Sequence, residues 1–318
     1  MIVMSKTLVL VNSPLQVMMA VNYIRQFKIE NVDFAVSFYS IDFLKHNRAV
    51  LRYLNDLDYT YKIFITKNIV NILRFYNSPK EYERFVIGDY RSLDKKILTL
   101  FHAKGKVQVV YVDDGNASLV IGSKKKAKPT PRILLSKFVD YLFSKRVREC
   151  FFYSAFIKEK KILGIPVIPN SINSFHTEKK KKEDMLMIIG CFSRAFKDYR
   201  LDYFVYLEKL NIYLRNKWPN AIVNYYPHRR EDNMKGIYDI CEKFKWEVCF
   251  SRINIETDMS QAPYLPCCIV GFGSSALYLL RKMCKDIPIL SVHFNESEEY
   301  LEIEKKYSEQ GIEVISFD

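Results

Sequence analysis

Residues 7–26 read TLVLVNSPLQVMMAVNYIRQ, and this stretch decides the fold. The run Thr7–Val11 is short, apolar and rich in β-branched residues, which is typical of a buried strand. The segment Pro14–Gln26 then carries apolar residues at three- and four-residue spacing, which predicts a helix with one buried face. A strand followed by such a helix is the repeating unit of a parallel α/β sheet, so we expect an α/β protein.

The same alternation continues through the first half of the chain. Further strands are predicted at Asp33–Ser37, Tyr61–Ile65, Glu83–Ile87 and Val107–Val112. Further helices are predicted at Ile41–Asn55, Arg91–Ala103 and Ile133–Arg148. Parallel strands with helices on their faces make a Rossmann-like domain, which we place at residues 1–176.

A basic stretch at Thr177–Asp184 separates the two halves. Lys179–Lys182 repel one another and are not expected to be buried together, so residues 177–184 are predicted to be a solvated linker.

A second Rossmann-like domain is predicted at residues 185–318. Its strands are expected at Met185–Ile189, Ala221–Tyr226, Trp246–Phe250, Cys267–Val270, Ile287–Val292 and Ile312–Ser316. Its helices are expected at Tyr199–Trp218 and Glu231–Phe244. Two such domains are expected to face a central cleft, with ligands at the carboxyl ends of the strands.

The composition belongs to a globular protein. The chain has 318 residues, of which 49% are hydrophobic and 27% charged, so disordered and fibrous classes are excluded. Its longest apolar runs, such as Leu8–Val11, are far shorter than the roughly 20 residues that cross a bilayer. No secretory signal is recognised at the start, and the seven cysteines are odd in number and without C-x-x-C spacing. We therefore expect reduced, buried thiols and a cytoplasmic location.

The net charge of +13 predicts a negatively charged partner. Nucleic acid, anionic lipid and acidic sugar all meet this requirement. The lysine runs Lys124–Lys126 and Lys179–Lys182 add the expectation of a peripheral contact with the inner face of a membrane, although ordinary solubility explains both runs as well.

Three motifs fall where strands should end. The first is Asp113-Asp114-Gly115-Asn116, which follows the strand Val107–Val112. A carboxylate at this position can act as a general base on a hydroxyl group. The alternative is that Asp-Gly is a turn pair without a catalytic role. Adjacent aspartates lack the spaced Asp-x-Asp pattern that holds a divalent ion, so no metal is expected.

The second motif is Pro227-His228-Arg229-Arg230, after the strand that ends at Tyr226. Arginine offers a fixed, permanently charged fork to a phosphate, and histidine can stabilise or protonate a leaving phosphate near neutral pH. The alternative is a solvated helix start with His228 as its cap.

The third motif is Gly271-Phe272-Gly273-Ser274-Ser275, which leads into a helix predicted to begin at Ala276. Glycines allow a phosphate to approach the backbone, and a helix N-terminus adds N–H donors and a favourable dipole. The alternative is an ordinary serine cap on a buried helix. The motif matches neither Gly-x-Gly-x-x-Gly nor a P-loop.

The order of these motifs, together with the opening Ser13-Pro14-Leu15-Gln16, resembles the bacterial sialyltransferases of GT-B fold, especially glycosyltransferase family 52 and the bacterial polysialyltransferases. The resemblance implies that Asp114 is the general base, with Asp113 as the second candidate. It also implies that His228, Ser274 and Ser275 contact the phosphate of a CMP-activated donor. Arg229 stands where that family has the proline of a His-Pro motif.

The resemblance implies further contacts on both sides of the reaction. Glu256 is the candidate for an acidic residue that recognises the nucleoside, and an exposed loop acid is the alternative. Gly190, Gly273 and Arg229 complete the donor side, and Gly190 allows close backbone approach. The acceptor side would comprise Ser13, Gln16 and Asn116.

The expected function is that of an inverting, metal-independent glycosyltransferase without an organic cofactor. It would move sialic acid, or a related nonulosonic acid, from its CMP derivative to a hydroxyl of a bacterial surface glycan, as in lipopolysaccharide or capsule biosynthesis. A transferase that uses CMP-Kdo or CMP-pseudaminate is one alternative. A non-enzymatic nucleic-acid-binding protein is another, but the sequence carries no RNP, zinc-finger or recognition-helix pattern.

Overall fold

The computed structural model describes residues 6–38, 48–65, 81–121, 131–170, 180–192, 196 and 202–317. The chain divides into two compact units, Met1–Ser171 and Ile172–Asp318. The first unit therefore ends before the predicted domain end at residue 176.

The first unit is built on an eight-stranded sheet with the order β3-β2-β1-β4-β5-β6-β8-β7. Its strands are β1 (Thr7–Val11), β2 (Val32–Phe38), β3 (Tyr61–Ile65), β4 (Tyr82–Gly88), β5 (Ala103–Val112), β6 (Val147–Ser154), β7 (Lys161–Ile162) and β8 (Ile165–Pro169). Its helices are α1 (Pro14–Gln26), α2 (Arg48–Asp56), α3 (Leu93–His102), α4 (Asn116–Leu119) and α5 (Pro131–Arg146).

The first strand lies in the middle of this sheet, where β1 pairs in parallel with both β2 and β4. Its residues are buried because helices cover both faces of a parallel sheet. The expected strands β1 to β5 and helix α1 are confirmed. The start of the predicted helix Ile41–Asn55 lies outside the described residues, as does the lysine run Lys124–Lys128. Strands β6, β7 and β8 were not predicted, and the predicted helix Ile133–Arg148 was wrong at its end, since Val147 and Arg148 begin β6.

Helix α1 begins where local chemistry favours it. The Ser13 hydroxyl accepts a hydrogen bond of 3.3 Å from the Gln16 N–H, and Pro14 occupies the first turn. A serine cap and a proline without an N–H together suit the end of a helix whose first N–H groups have no internal partners. The helix therefore begins directly after β1 and turns back over the sheet.

The second unit is built on a six-stranded sheet with the order β11-β10-β9-β12-β13-β14. Its strands are β9 (Lys180–Ile189), β10 (Ile222–Tyr226), β11 (Glu247–Val248), β12 (Tyr264–Gly271), β13 (Ile289–Val292) and β14 (Glu313–Ile315). Its helices are α6 (Tyr203–Lys217), α7 (Met234–Phe244), α8 (Ile255–Gln261), α9 (Ser275–Met283) and α10 (Glu298–Ser308). All recorded pairs in this sheet are parallel.

The structure corrects the predicted linker at 177–184. Residues 180–184 belong to β9, and the backbone of Lys180–Lys182 pairs with Tyr264–Pro266 of β12. The prediction was wrong because backbone pairing does not require burial of the side chains. The backbone at 181–184 is part of the strand, while the side chains at these positions stay exposed to water. Residues 177–179 lie outside the described part of the chain.

Other predicted boundaries in this unit also differ, two of them near the candidate residues. The predicted strand Trp246–Phe250 is reduced to Glu247–Val248, and helix α9 begins at Ser275 rather than Ala276. The seven cysteines are free thiols, and Cys241, Cys267, Cys268 and Cys284 are buried. Among the described helices, none combines the length and the apolar character needed to span a bilayer.

Candidate functional site

The first candidate site lies at the carboxyl edge of the first sheet. Strands β1, β4 and β5 are neighbours in this sheet. Asn12–Gln16 follows β1, Asp89 follows β4, and Asp113–Asp114 follows β5. The carboxyl ends of parallel strands meet at one edge, where ligands of open α/β sheets bind. The fold therefore brings the acidic motif and the opening motif together.

The side chain of Gln16 connects these loops. Its Oε1 accepts hydrogen bonds from the Asn12 N–H at 2.9 Å and from the Lys95 ammonium at 3.0 Å. Its Nε2 donates to Oδ1 of Asp114 at 2.6 Å. Because a backbone N–H and an ammonium can only donate, the Gln16 oxygen must face them and the amide NH₂ must face Asp114. Gln16 therefore orients the candidate base.

Asp114 is half-buried, and its surroundings change its proton affinity. Burial raises the pKa of Asp114 above its ordinary value, and the charge of Asp89 adds to the rise. The hydrogen bond from Gln16 and the positive charges of Lys95 and Arg91 lower the pKa by a smaller amount. A carboxylate with a raised pKa holds a proton more tightly, which is the property a general base needs.

A small pocket opens beside Asp114. Asp89 and Ser118 line it together with the rings of Tyr90 and Phe152. The Ser118 hydroxyl also accepts a hydrogen bond of 2.9 Å from the Asp114 N–H, which fixes the backbone of the acidic motif. Asp114 is thus among the residues that a hydroxyl group entering this pocket would meet.

Asp113 has a different environment from its neighbour. It is 2% exposed, and its carboxylate accepts hydrogen bonds from the Ser154 hydroxyl and, at 2.6 Å, from the Ala155 N–H. These contacts connect the end of β5 to the end of β6. Asp113 therefore holds two strand ends together, and of the two aspartates Asp114 is the one that lines the pocket.

The other two acceptor-side candidates lie at the same edge. Ser13 caps α1 through the Gln16 N–H, so it acts on the backbone that carries Gln16. Asn116 is half-buried and begins the short helix α4, directly after Gly115, whose φ of 62° is in the left-handed region. Glycine adopts this conformation without strain, which lets the chain turn sharply after Asp114.

The sequence prediction missed Asp89 and Lys95. Asp89 had a usable signal, because it follows a predicted strand just as Asp113 does. Lys95 had none, since a lysine on a helix is almost always exposed. In the structure Lys95 is fully buried, and its ammonium donates to Oε1 of Gln16 and to the Gly88 carbonyl. Burial lowers the pKa of Lys95, whereas the charge of Asp114 raises it.

The second candidate site lies at the carboxyl edge of the second sheet. Ile189, the last residue of β9, is in register with Tyr226 of β10 on one side and Gly271 of β12 on the other. The three strands therefore end at the same level. The residues that follow them are Gly190, the His228 motif and the Gly273–Ser275 motif, so this edge brings together the donor-side candidates from three strands.

His228 is half-buried beside two arginines. Its Nδ1 accepts a hydrogen bond of 3.2 Å from the Arg230 N–H, so the remaining proton of the neutral ring is on Nε2. Burial lowers the pKa of His228 to about 3, and the charges of Arg230 and Arg229 act in the same direction. A ring with this pKa is neutral near pH 7 in the ligand-free protein, so of the two predicted roles, to stabilise or to protonate a phosphate, the pKa favours the first. The neutral ring offers an N–H donor.

Gly190 and Gly273 are required by close packing. A Cβ atom at Gly190 would overlap the Tyr225 hydroxyl, and one at Gly273 would overlap the ring of Tyr300. Gly273 also has a φ of 58°, in the region that favours glycine. Both glycines therefore have structural reasons to be present, in addition to any contact with a ligand.

The two serines of the third motif have different positions. Ser274 is the N-cap of α9, and its hydroxyl accepts a hydrogen bond of 3.3 Å from the Ala276 N–H. Ser275 is the first residue of the helix and is half-buried. Ser274 therefore caps the helix, whereas Ser275 is not the capping residue.

Glu256 is not the exposed loop acid of the alternative interpretation. It lies in the first turn of α8 and is 5% exposed. Burial raises the pKa of Glu256 to about 7, and the positive charge of Arg229 opposes the rise. Glu256 and Arg229 are therefore close enough to interact electrostatically. A buried carboxyl group with this pKa can donate or accept hydrogen bonds near neutral pH.

Across the part of the chain that the structure describes, no group of three or more His, Cys, Asp or Glu side chains has the arrangement of a metal site. The two edges offer instead a basic carboxylate in the first unit and N–H, hydroxyl and guanidinium donors in the second. The first set suits removal of a proton from a hydroxyl group. The second suits an anion such as a phosphate.

No protein-family model and no curated protein matches the sequence. Solved structures do match the fold. The α/β-galactoside α-2,3-sialyltransferase of the luminous marine bacterium Photobacterium phosphoreum is 10% identical, with a TM-score of 0.55 over 98% of both chains. The UDP-GlcNAc 2-epimerase of Methanocaldococcus jannaschii is 12% identical, with a TM-score of 0.56 over 99% of this chain and 89% of that chain.

Identities this low show the fold alone. The two sheets and these two structures confirm the predicted class, an α/β protein of GT-B-like fold with two Rossmann-like units. The names of the two enzymes describe different reactions, so the reaction of this chain has to be argued from its own residues.

Proposed function

We propose that this protein is an inverting glycosyltransferase that uses a CMP-activated nonulosonic acid, such as sialic acid, as its donor. The acceptor is a hydroxyl group of a bacterial surface glycan. The observation that carries the proposal is Asp114, a half-buried carboxylate with a raised pKa beside a pocket, oriented by Gln16. The likeness to a sialyltransferase supports a glycosyl-transfer reaction on this fold.

In the proposed reaction, Asp114 takes the proton of the acceptor hydroxyl as its oxygen attacks the anomeric carbon of the donor. The bond between that carbon and the phosphate oxygen breaks, and CMP leaves with the bonding electrons. Attack from the face opposite the leaving group inverts the configuration. Because charge grows on the departing phosphate, donors placed around it stabilise the transition state more than the ground state.

The second unit supplies such donors. His228 offers its Nε2–H, Ser275 its hydroxyl group, Arg229 a positive charge, and α9 its N-terminal N–H groups. Glu256 is the proposed nucleoside contact, since its carboxyl group can bond to ribose hydroxyls or to the cytosine amino group. The proposed mechanism uses neither a metal ion nor an organic cofactor, and its proposed setting is the cytoplasm.

A panel of nucleotide sugars tests the proposal. The full-length protein is mixed with CMP-sialic acid, CMP-Kdo, CMP-pseudaminate and UDP-GlcNAc, with and without excess EDTA, and release of the nucleotide is measured. We expect release from a CMP-nonulosonate in the presence of EDTA. Asp114→Asn should lose roughly 10²- to 10⁴-fold in rate while CMP binding is kept, since the amide cannot take a proton. Asp140→Asn, an exposed carboxylate of the same unit, is the matched control.

Several outcomes would overturn the assignment. If CMP-Kdo or CMP-pseudaminate is the substrate, the donor class stands and sialic acid is wrong. If activity disappears in EDTA and returns with magnesium or manganese, the metal-free mechanism is wrong. If no nucleotide sugar binds and the protein binds DNA or RNA with a strong salt dependence, the glycosyltransferase assignment is wrong. The positive charge is then explained by nucleic-acid binding.

A further inference from the structure

Helix α5 (Pro131–Arg146) has apolar side chains on two faces. On its inner face, Val139 and Phe143 are buried within the first unit. Its outer face carries five large apolar side chains that remain exposed. Their exposed fractions are 62% for Leu134, 51% for Leu135, 59% for Phe138, 59% for Tyr141 and 38% for Leu142.

The five outer residues form one continuous stripe. At 100° per residue, their spacing places them within an arc of about 120° along the helix. They are a third of the large hydrophobic side chains that are exposed among the described residues, and elsewhere such residues are more scattered along the sequence. With the buried Val139 and Phe143, the apolar side chains cover about 200° of the helix, far more than the first unit buries, and so wide an apolar surface is expected to be covered. The outer face therefore has the composition of a surface that binds something.

The charges on this helix indicate what covers it. Lys137, Lys145 and Arg146 lie within or beside the stripe, and the Lys145 ammonium lies 5.4 Å from the centre of the Tyr141 ring. The acidic residue of the helix, Asp140, is paired with Lys96 of α3 at 2.7 Å. The stripe is therefore apolar in the middle and basic at its margins.

We propose that the outer face of α5 binds the headgroup layer of an anionic lipid membrane. Apolar side chains would enter the boundary between headgroups and acyl chains, while the lysines extend along it and keep their ammonium groups among the lipid phosphates. A second copy of this chain is a poorer occupant, because two such faces would bring their lysines against each other. This inference goes beyond the proposed function and is independent of the transfer chemistry.

The dimensions and charges suit this arrangement. The 16 residues of α5 make a rod about 24 Å long at 1.5 Å per residue, which can lie flat on a surface. Each basic residue near an anionic leaflet adds an electrostatic attraction, and this attraction decreases with salt. The surface differs from the lysine runs Lys124–Lys126 and Lys179–Lys182, from which the sequence suggested a membrane contact.

Vesicle flotation tests the proposal with the full-length protein. Vesicles of phosphatidylcholine alone are compared with vesicles that also contain phosphatidylglycerol, at low and at 0.5 M salt. We expect the protein to float with the anionic vesicles at low salt and to be released in part at high salt. The double substitution Leu134→Ser/Phe138→Ser should weaken binding roughly tenfold or more, since two apolar side chains no longer leave water. Lys137→Glu/Lys145→Glu should remove the preference for anionic vesicles.

The matched control is Ile212→Ser/Tyr238→Ser, which changes two exposed apolar side chains on helices of the other unit. It should bind vesicles as the wild type does. Thermal unfolding checks that every variant is folded, which is expected because the substituted side chains are exposed. Failure of the wild type to bind anionic vesicles would overturn the proposal, and so would equal binding by the Leu134→Ser/Phe138→Ser variant. A wild-type dimer that this variant converts to a monomer would instead assign the face to a second copy.

Discussion

Gln16 donates a hydrogen bond of 2.6 Å to Asp114 across 98 positions of sequence. The contact forms because β1 and β5 lie on either side of β4 and end at the same edge of the sheet. Lys95 and the Asn12 N–H occupy the Gln16 oxygen, so the amide group has one orientation. The candidate base is therefore held by a chain of hydrogen bonds that begins at a buried lysine.

Removing Lys95 should raise the pKa of Asp114. The positive charge of Lys95 stabilises the ionised carboxylate, so Lys95→Met should shift the acid limb of the pH profile of kcat/KM to higher pH. Activity should fall most at low pH and recover as pH rises, whereas general damage to the fold would lower it at every pH. The control is Lys96→Met, which changes the adjacent lysine of the surface pair with Asp140. An unchanged acid limb in Lys95→Met would show that the charge of Lys95 does not set the pKa of Asp114.

The two serines at the start of α9 should separate stability from binding. Ser274→Ala removes the cap and should lower the free energy of unfolding by about 0.5–2 kcal/mol. Ser275→Ala removes no cap and should change the free energy of unfolding by less than about 0.5 kcal/mol. It should weaken CMP binding by roughly ten- to a hundredfold if its hydroxyl contacts the phosphate. Both tryptophans of the chain, Trp218 and Trp246, are in this unit, so their fluorescence reports its unfolding. Unchanged CMP affinity in folded Ser275→Ala would remove this serine from the donor site.

His228 should stay neutral in the ligand-free protein. Its pKa of about 3 means that its ring signals in NMR spectra do not move between pH 5 and 8. For His293, burial acts to lower the pKa, but hydrogen bonds to Glu296 and Glu304 outweigh it and raise the pKa. The His293 signals should therefore titrate above the usual pH, and they serve as an internal comparison. The spectrum of His228→Ala identifies the relevant peak.

In steady-state kinetics, His228→Ala should lose more in turnover than in donor affinity, because the phosphate gains charge toward the transition state.

Glu256 should make the second unit less stable as pH rises. Its pKa is raised from an ordinary 4.5 to about 7 in the folded state, so the folded protein binds a proton that the unfolded chain has released. The resulting stability is fully present below pH 4.5 and is lost as pH rises through 7. The loss can reach about 3 kcal/mol, since one pKa unit corresponds to about 1.4 kcal/mol.

Urea unfolding at pH 5 and pH 8, followed by tryptophan fluorescence, measures this dependence. Glu256→Gln should reduce the difference between the two pH values, because the amide does not ionise. Glu242→Gln, at an exposed position on α7, should leave the difference as in the wild type. An equal pH dependence in Glu256→Gln and the wild type would contradict the raised pKa.

Sequence patterns predicted most of the strands that alternate with helices. The prediction failed where no helix- or strand-ending residue separates two elements. Strand β6 begins at Val147, directly after α5 ends at Arg146, and no glycine, proline or asparagine separates them. The first residues of β9 are lysines, whose charge suggested a linker although their backbone pairs with β12. In both places the neighbouring strand, rather than the local sequence, determines the conformation.

The candidate site was predictable to the extent that it follows strand ends. Asp114, His228 and Ser275 all follow strands, and the common edge of a parallel sheet brings such positions together. The burial of Lys95 and Glu256 was not predictable in this way, because it depends on segments that are distant in sequence. The shifted pKa values of these groups follow from that burial, so they too require the three-dimensional structure.

Each sheet is made from one uninterrupted stretch of chain, residues 7–169 for the first and 180–315 for the second. In both sheets, the first strand of the sequence lies in the middle. Strands β1 and β9 are therefore paired on both sides only after β4 and β12, which come later in the chain, have joined the sheet. Such long-range pairing slows folding. During synthesis, however, the first sheet has all its strands once residue 169 has left the ribosome. The first unit can therefore complete its core while the second is still being translated, and an intermediate with one folded half is expected on the ribosome.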